Sequence, residues 1–98
     1  MTNKELKALF EKHNGEYGKF SRVVNPLHPR PDLCAFLLLD RLVPDPGKDM
    51  VSAVTSDEFY LRTSVEELAK VAIEEDVITL CRCGVLYDGQ YDCLAMFT

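Results

Sequence analysis

Leu6, Leu9, Phe10 and His13 recur at i, i+3, i+4 and i+7 among charged and polar neighbours, so residues 3–13 predict a short helix with one apolar stripe. Thr2 and Glu5 have the spacing of a capping box at its start, and Asn14 with Gly15 supplies its stop. The periodicity then lapses. Gly18 and the prolines at 26, 29 and 31 predict an ordered irregular segment over 16–32, with a brief extended stretch at Phe20–Val24. From Leu33 to Leu42 the chain is apolar nearly all round and rich in helix formers, which predicts a central core helix capped by Asp32 and ended by Pro44, Asp45, Pro46 and Gly47.

Val51–Thr55 and Phe59–Arg62 are β-branched or aromatic runs separated by Ser56, Asp57 and Glu58. They predict two short strands or one interrupted strand. Ser64 and Glu67 repeat the capping-box spacing, and Val65, Leu68, Ala69 and Ala72 share one helical face, so a helix is expected over 65–72. Residues 73–84 admit two readings. As a strand, Val77, Ile78 and Thr79 have the right propensity but no alternating polar set. As a helix, Ile73, Val77, Leu80, Cys81 and Gly84 align on one stripe, carboxylates crowd the start, and Gly84 stands where a helix stops. The helix accounts for more of the residues.

A hairpin is expected from Val85–Tyr87 and Tyr91–Phe97, turning at Asp88 and Gly89. A three-residue loop of Tyr87, Asp88 and a left-handed Gly89 segregates the faces best. It places Val85, Tyr91, Cys93, Ala95 and Phe97 inward and leaves Leu86, Leu94 and Met96 on the opposite face. The whole reads as one α+β domain over residues 1–98, with three to four helices and a small antiparallel sheet that ends in a C-terminal hairpin.

Composition narrows the function classes. With 47% hydrophobic and 28% charged residues in 98, the chain belongs with ordinary globular domains. Its longest apolar run, Leu33–Leu39, is far short of the roughly 20 residues a membrane helix needs, and no signal-peptide pattern opens the sequence, so a cytoplasmic location without membrane contact is expected. The net charge of -5 argues against a polyanionic partner. Its distribution is uneven. Residues 1–30 hold six cations against three carboxylates, whereas residues 31–98 hold five against thirteen.

Candidate chemistry is sparse. Cys34, Cys81, Cys83 and Cys93 lack the paired spacing of a zinc site, and only Cys81 and Cys83 are close, so buried thiols are expected and no metal or cofactor. The only imidazoles, His13 and His28, would have to meet Cys34 or Cys93 in space to form a nucleophile pair. No phosphate loop, nucleophile elbow or His-Glu motif occurs, and the expectation is a protein that is not an enzyme.

The order of strand at Phe59–Thr63, helix at Ser64–Ala72, tight turn, helix at Glu75–Cys83 and hairpin resembles a winged helix-turn-helix. The phrases Val65-Glu66-Glu67-Leu68-Ala69 and Gly84-Val85-Leu86 look like those of its small regulators, and the resemblance spans residues 59–97. It implies a nucleic-acid reader with Lys19, Arg22 and Arg30 on the phosphate backbone. The reading helix would then begin with Glu74, Glu75 and Asp76, three carboxylates that repel phosphate. Surplus apolar surface points elsewhere, because a domain of this size has trouble covering Leu86, Leu94, Met96 and the Leu33–Leu42 helix from within. The expected function is therefore a small acidic protein-interaction domain, of adaptor or inhibitor type. Its partner would be another protein or a second copy in a homodimer, met through Glu74, Glu75, Asp76, Leu94 and Met96.

Overall fold

Two hairpins joined edge to edge make the sheet, and the helices gather on one of its faces. A computed structural model describes residues 1–97, with helices α1 (Asn3–Lys12), α2 (Pro31–Leu42), α3 (Val65–Val71) and α4 (Glu74–Arg82). Strands β1 (Val51–Val54), β2 (Glu58–Leu61), β3 (Val85–Asp88) and β4 (Cys93–Phe97) form one antiparallel sheet in the order β1-β2-β4-β3. This is the expected α+β architecture, with four helices and a C-terminal hairpin.

Local signals set most helix ends. Thr2 Oγ1 accepts from Glu5 N–H while Glu5 Oε1 accepts from Thr2 N–H, so the capping box of α1 is complete. At α3, Ser64 Oγ accepts from Glu67 N–H, but Glu67 turns to Lys70. Residues 74–82 are helical. Their buried stripe of Val77, Leu80 and Cys81 joins Leu6 and Phe10 of α1 and Leu68 and Ala69 of α3 in the core. Gly84, at φ +91°, ends α4 by a left-handed turn that returns its N–H to Cys81 O at 3.0 Å.

Four expectations are corrected. Helix α2 begins at Pro31, which fits the first helical position because it needs no N–H partner there, and Arg30 rather than Asp32 is its cap. Nor is α2 central. It buries only Cys34, Ala35 and Leu39 and packs on α4 at the flank, leaving Leu37 45% exposed. Phe20–Arg22 forms a 3-10 turn where an extended stretch was expected.

The fourth correction is the register of β3 and β4. Val85 stands opposite Met96, Tyr87 opposite Leu94 and Asp88 opposite Cys93, so the loop holds four residues, Gly89–Asp92. The left-handed position in it belongs to Asp92, at φ 52°. Asp88 Oδ1 draws the turn closed by accepting from Gln90 N–H at 2.9 Å and Tyr91 N–H at 3.3 Å. Because side chains alternate along a strand, this pairing turns Leu94 and Met96 inward with Val85, and Leu86, Cys93, Ala95 and Phe97 outward. The inner face of β2 adds Leu61 and Phe59, whose ring meets that of Phe36 edge-on at 6.4 Å.

Candidate interaction surface along strand β3

The residues expected to form an interface divide into two groups. Leu94 and Met96 are buried in the core and offer nothing to a partner, a direct consequence of the register. Glu74, Glu75 and Asp76 begin α4, where the helix dipole favours them. Asp76 Oδ2 accepts from Ile73 N–H at 3.0 Å. Glu74 is held by Lys12 Nζ at 3.2 Å and His13 Nε2 at 2.7 Å, and these partners lower its pKa from the ordinary value, His13 more than Lys12. Two of the three carboxylates are thus engaged within the fold.

The rest of α4 is covered by the chain that precedes α2. Gly18 N–H donates to Cys81 O at 3.0 Å, and Arg82 donates from Nε to Glu16 Oε2 and from Nη1 to Arg22 O, each at 3.2 Å. Arg22 itself bonds both oxygens of Glu16, at 3.0 and 3.1 Å. One of the cations the winged-helix resemblance assigns to phosphate is therefore neutralised within the fold. The element order strand, helix, helix, hairpin is present over residues 58–97, yet only two residues, Ala72 and Ile73, separate α3 from α4.

An open surface lies at the other side of α1. Strand β3 is at the sheet's edge, and among the described residues none of its backbone groups makes a hydrogen bond outside its ladder with β4. Beside it runs a groove of about 710 Å³, walled by Phe10 and Glu11 of α1, by Tyr17, and by Val85, Leu86, Tyr87 and Phe97. Tyr17 meets the Phe97 ring edge-on at 6.3 Å and closes one end. Phe97 is nonetheless 55% exposed. Lys7 bounds the groove with its Nζ 5.2 Å from the Tyr87 ring centre and 3.1 Å from Asp92 Oδ1. Tyr87 donates its hydroxyl to the same Asp92 oxygen, so the three side chains hold the wall and the turn together.

Leu86 and Phe97 carry the wall of the groove onto the outer face of the sheet. Ala95 is flanked there by Tyr60 and Leu86 on the neighbouring strands, and the Tyr60 ring packs on Tyr91 at 5.2 Å. Glu58 raises the Tyr60 hydroxyl to a pKa of about 12. The opposite edge, β1, is interrupted by an irregularity between Val51 and Ala53, a common means of spoiling strand addition. Edge β3 has no such interruption. Of its groove the sequence pattern singled out Leu86. Tyr17 escaped it, and Phe10 and Phe97 were read only as core positions, because their meeting depends on how the 13–18 segment returns to the sheet.

The cysteines and histidines lie apart. Burial raises the Cys81 thiol to a pKa of about 11; burial, and then a hydrogen bond with Cys34, raises Cys83 to about 12. Cys93 is half-buried opposite Asp88. His28 Nδ1 accepts from Arg30 N–H at 3.0 Å, and among the described residues neither histidine is hydrogen-bonded to a cysteine. Among the described residues no three His, Cys, Asp or Glu side chains converge as a metal site, and no helix is long and apolar enough to cross a membrane. Comparison with protein-family models, with curated proteins and with solved structures finds no match to the chain.

Proposed function

We propose that this chain is a small acidic protein-interaction domain, of adaptor or inhibitor type, that binds an extended segment of a partner protein along β3 without catalysis or cofactor. The observation that carries this reading is the edge of β3, whose unpaired backbone borders an apolar groove between the sheet and α1. An extended peptide entering there gains main-chain hydrogen bonds from β3, while its alternate side chains fall against Tyr17, Leu86 and Phe97. Backbone pairing supplies affinity that does not depend on sequence, and the aromatic walls supply selectivity. The acidic start of α4 and the strapped Arg22 weigh against the nucleic-acid alternative.

The test is affinity capture of the tagged protein from its native lysate, with and without nuclease, repeated with Leu86→Lys and Phe97→Asp. Both positions face outward on the sheet, so these variants keep the core. A stoichiometric protein that survives nuclease and binds either variant about tenfold or more weakly is the expected result. Undiminished capture by both variants would refute the β3 groove. Bound material lost on nuclease treatment would return the winged-helix reading.

A further inference from the structure

A second groove, of about 700 Å³, lies on the opposite flank between α2, the 43–50 loop and the start of α3. Its floor is apolar, with Leu33, Phe36 and Leu37 from α2 and Val43 and Met50 from the loop. Asp40, Asp45 and Asp49 stand on its rim, and among the described residues none of the three is in an ion pair. Asp49 contributes only its carbonyl, to Arg62 Nε at 2.9 Å. Glu67 adds a fourth carboxylate to the lining and Lys48 and Arg62 two cations, so the groove is greasy below with a net negative charge above.

The complement is on the same chain. Residues 17–31 contain no carboxylate, and residues 23–30 form neither helix nor strand. Asn25 in this loop holds a left-handed φ of 50°. Val24 is 82% exposed and Leu27 38%, and the cations Lys19 and Arg30 on either side are in no ion pair among the described residues. No residue of the loop lines the groove of its own chain.

We propose that this groove takes residues 23–30 of a second copy of the chain, reciprocally, in a two-fold dimer. Val24 and Leu27 cover the floor made by Leu37 and Phe36, while Arg30 and Lys19 face Asp40, Asp45 and Asp49. The loop runs directly into α2 at Pro31, and the groove follows the flank of that helix from Leu33. A two-fold axis near the first turns of α2 therefore lets both copies engage at once and closes the assembly, where one-sided docking would propagate a chain of molecules. The surface is separate from β3, so this pairing stands or falls independently of partner binding there.

Sedimentation of the whole chain from about 10 µM to about 1 mM reads homodimers of weak to moderate affinity. The wild-type mass is expected to rise toward that of two chains, with the dissociation constant weakened about tenfold between roughly 50 mM and 500 mM salt. One variant, Asp45→Lys with Asp49→Lys, makes loop and groove both basic; another, Lys19→Glu with Arg30→Glu, makes both acidic. Each alone is expected to stay monomeric, and an equimolar mixture to pair again, since each loop then finds a groove of opposite charge. Recovery in the mixture also shows that both variants are folded. A wild-type chain that is monomeric throughout overturns the proposal, as does a dimer that survives both reversals.

Discussion

His13 Nε2 lies 2.7 Å from Glu74 Oε2, joining the end of α1 to the start of α4 across 61 positions of sequence. Lys12 Nζ reaches the same oxygen at 3.2 Å. The two helices share the core through Leu6, Phe10, Val77 and Leu80, and this polar clasp fixes their order at the surface. The clasp also gives the fold a dependence on acid.

Glu74 has its carboxyl held below the usual value of 4.5, first by His13 and then by Lys12. A carboxyl depressed in the folded state contributes stability above its unfolded pKa and loses it as pH falls through the folded one. Wild-type stability is therefore expected to decline as pH drops below about 4.5, and Glu74→Gln to be less stable at neutral pH and flatter across that window. Urea unfolding at a series of pH values reads both. Equal slopes for the two proteins would show that the clasp carries no such linkage.

Leu94 is fully buried and faces Tyr87 across the hairpin. Leu94→Ala is expected to cost about 2–5 kcal/mol, the range for a core leucine. Val54, exposed at the end of β1, changes stability by no more than about 0.5 kcal/mol as Val54→Thr. Thermal or denaturant unfolding separates the pair. Similar losses would place Leu94 outside the core and restore the expected outward register.

Gly84 holds φ +91°, and a Cβ built on it would meet only Met96 Cε at 3.8 Å, an ordinary contact. The cost of Gly84→Ala is therefore conformational and should be about 1–2 kcal/mol, with Gly84→Asn losing less because asparagine tolerates the left-handed region. If both substitutions cost the same in denaturant unfolding, crowding rather than backbone conformation governs the site.

The thiols should react in an order set by burial. Cys34, Cys81 and Cys83 are buried and Cys93 is half-buried, so a thiol reagent applied to the native protein is expected to modify Cys93 first and slowly. The others become available only on unfolding. Mass spectrometry of digested, partly labelled protein identifies the site, and early labelling of Cys83 would contradict the packing of α4 against α2.

Much of the architecture is legible in residue order because its causes are local. Thr2 with Glu5, and Ser64 in front of Glu67, announce α1 and α3 through bonds spanning one helical turn, and Gly84 announces the end of α4. Apolar periodicity named Leu6, Phe10, Leu68, Val77 and Leu80, which do meet in the core. The register of β3 on β4 was not legible. Asp88-Gly89 is a turn signal at the right place, but side-chain bonds from Asp88 and Tyr87 enlarge the loop, and one change of parity exchanges every inward and outward residue of β4 while Val85 and Leu86 keep their faces. The flank position of α2 was hidden too, since an all-round apolar helix does not say which of its faces is covered. The two grooves have the same origin. Phe10, Tyr17 and Phe97, or Leu37, Val43 and Met50, come together only when separate elements pack, and packing is a property of the whole chain that no local pattern encodes.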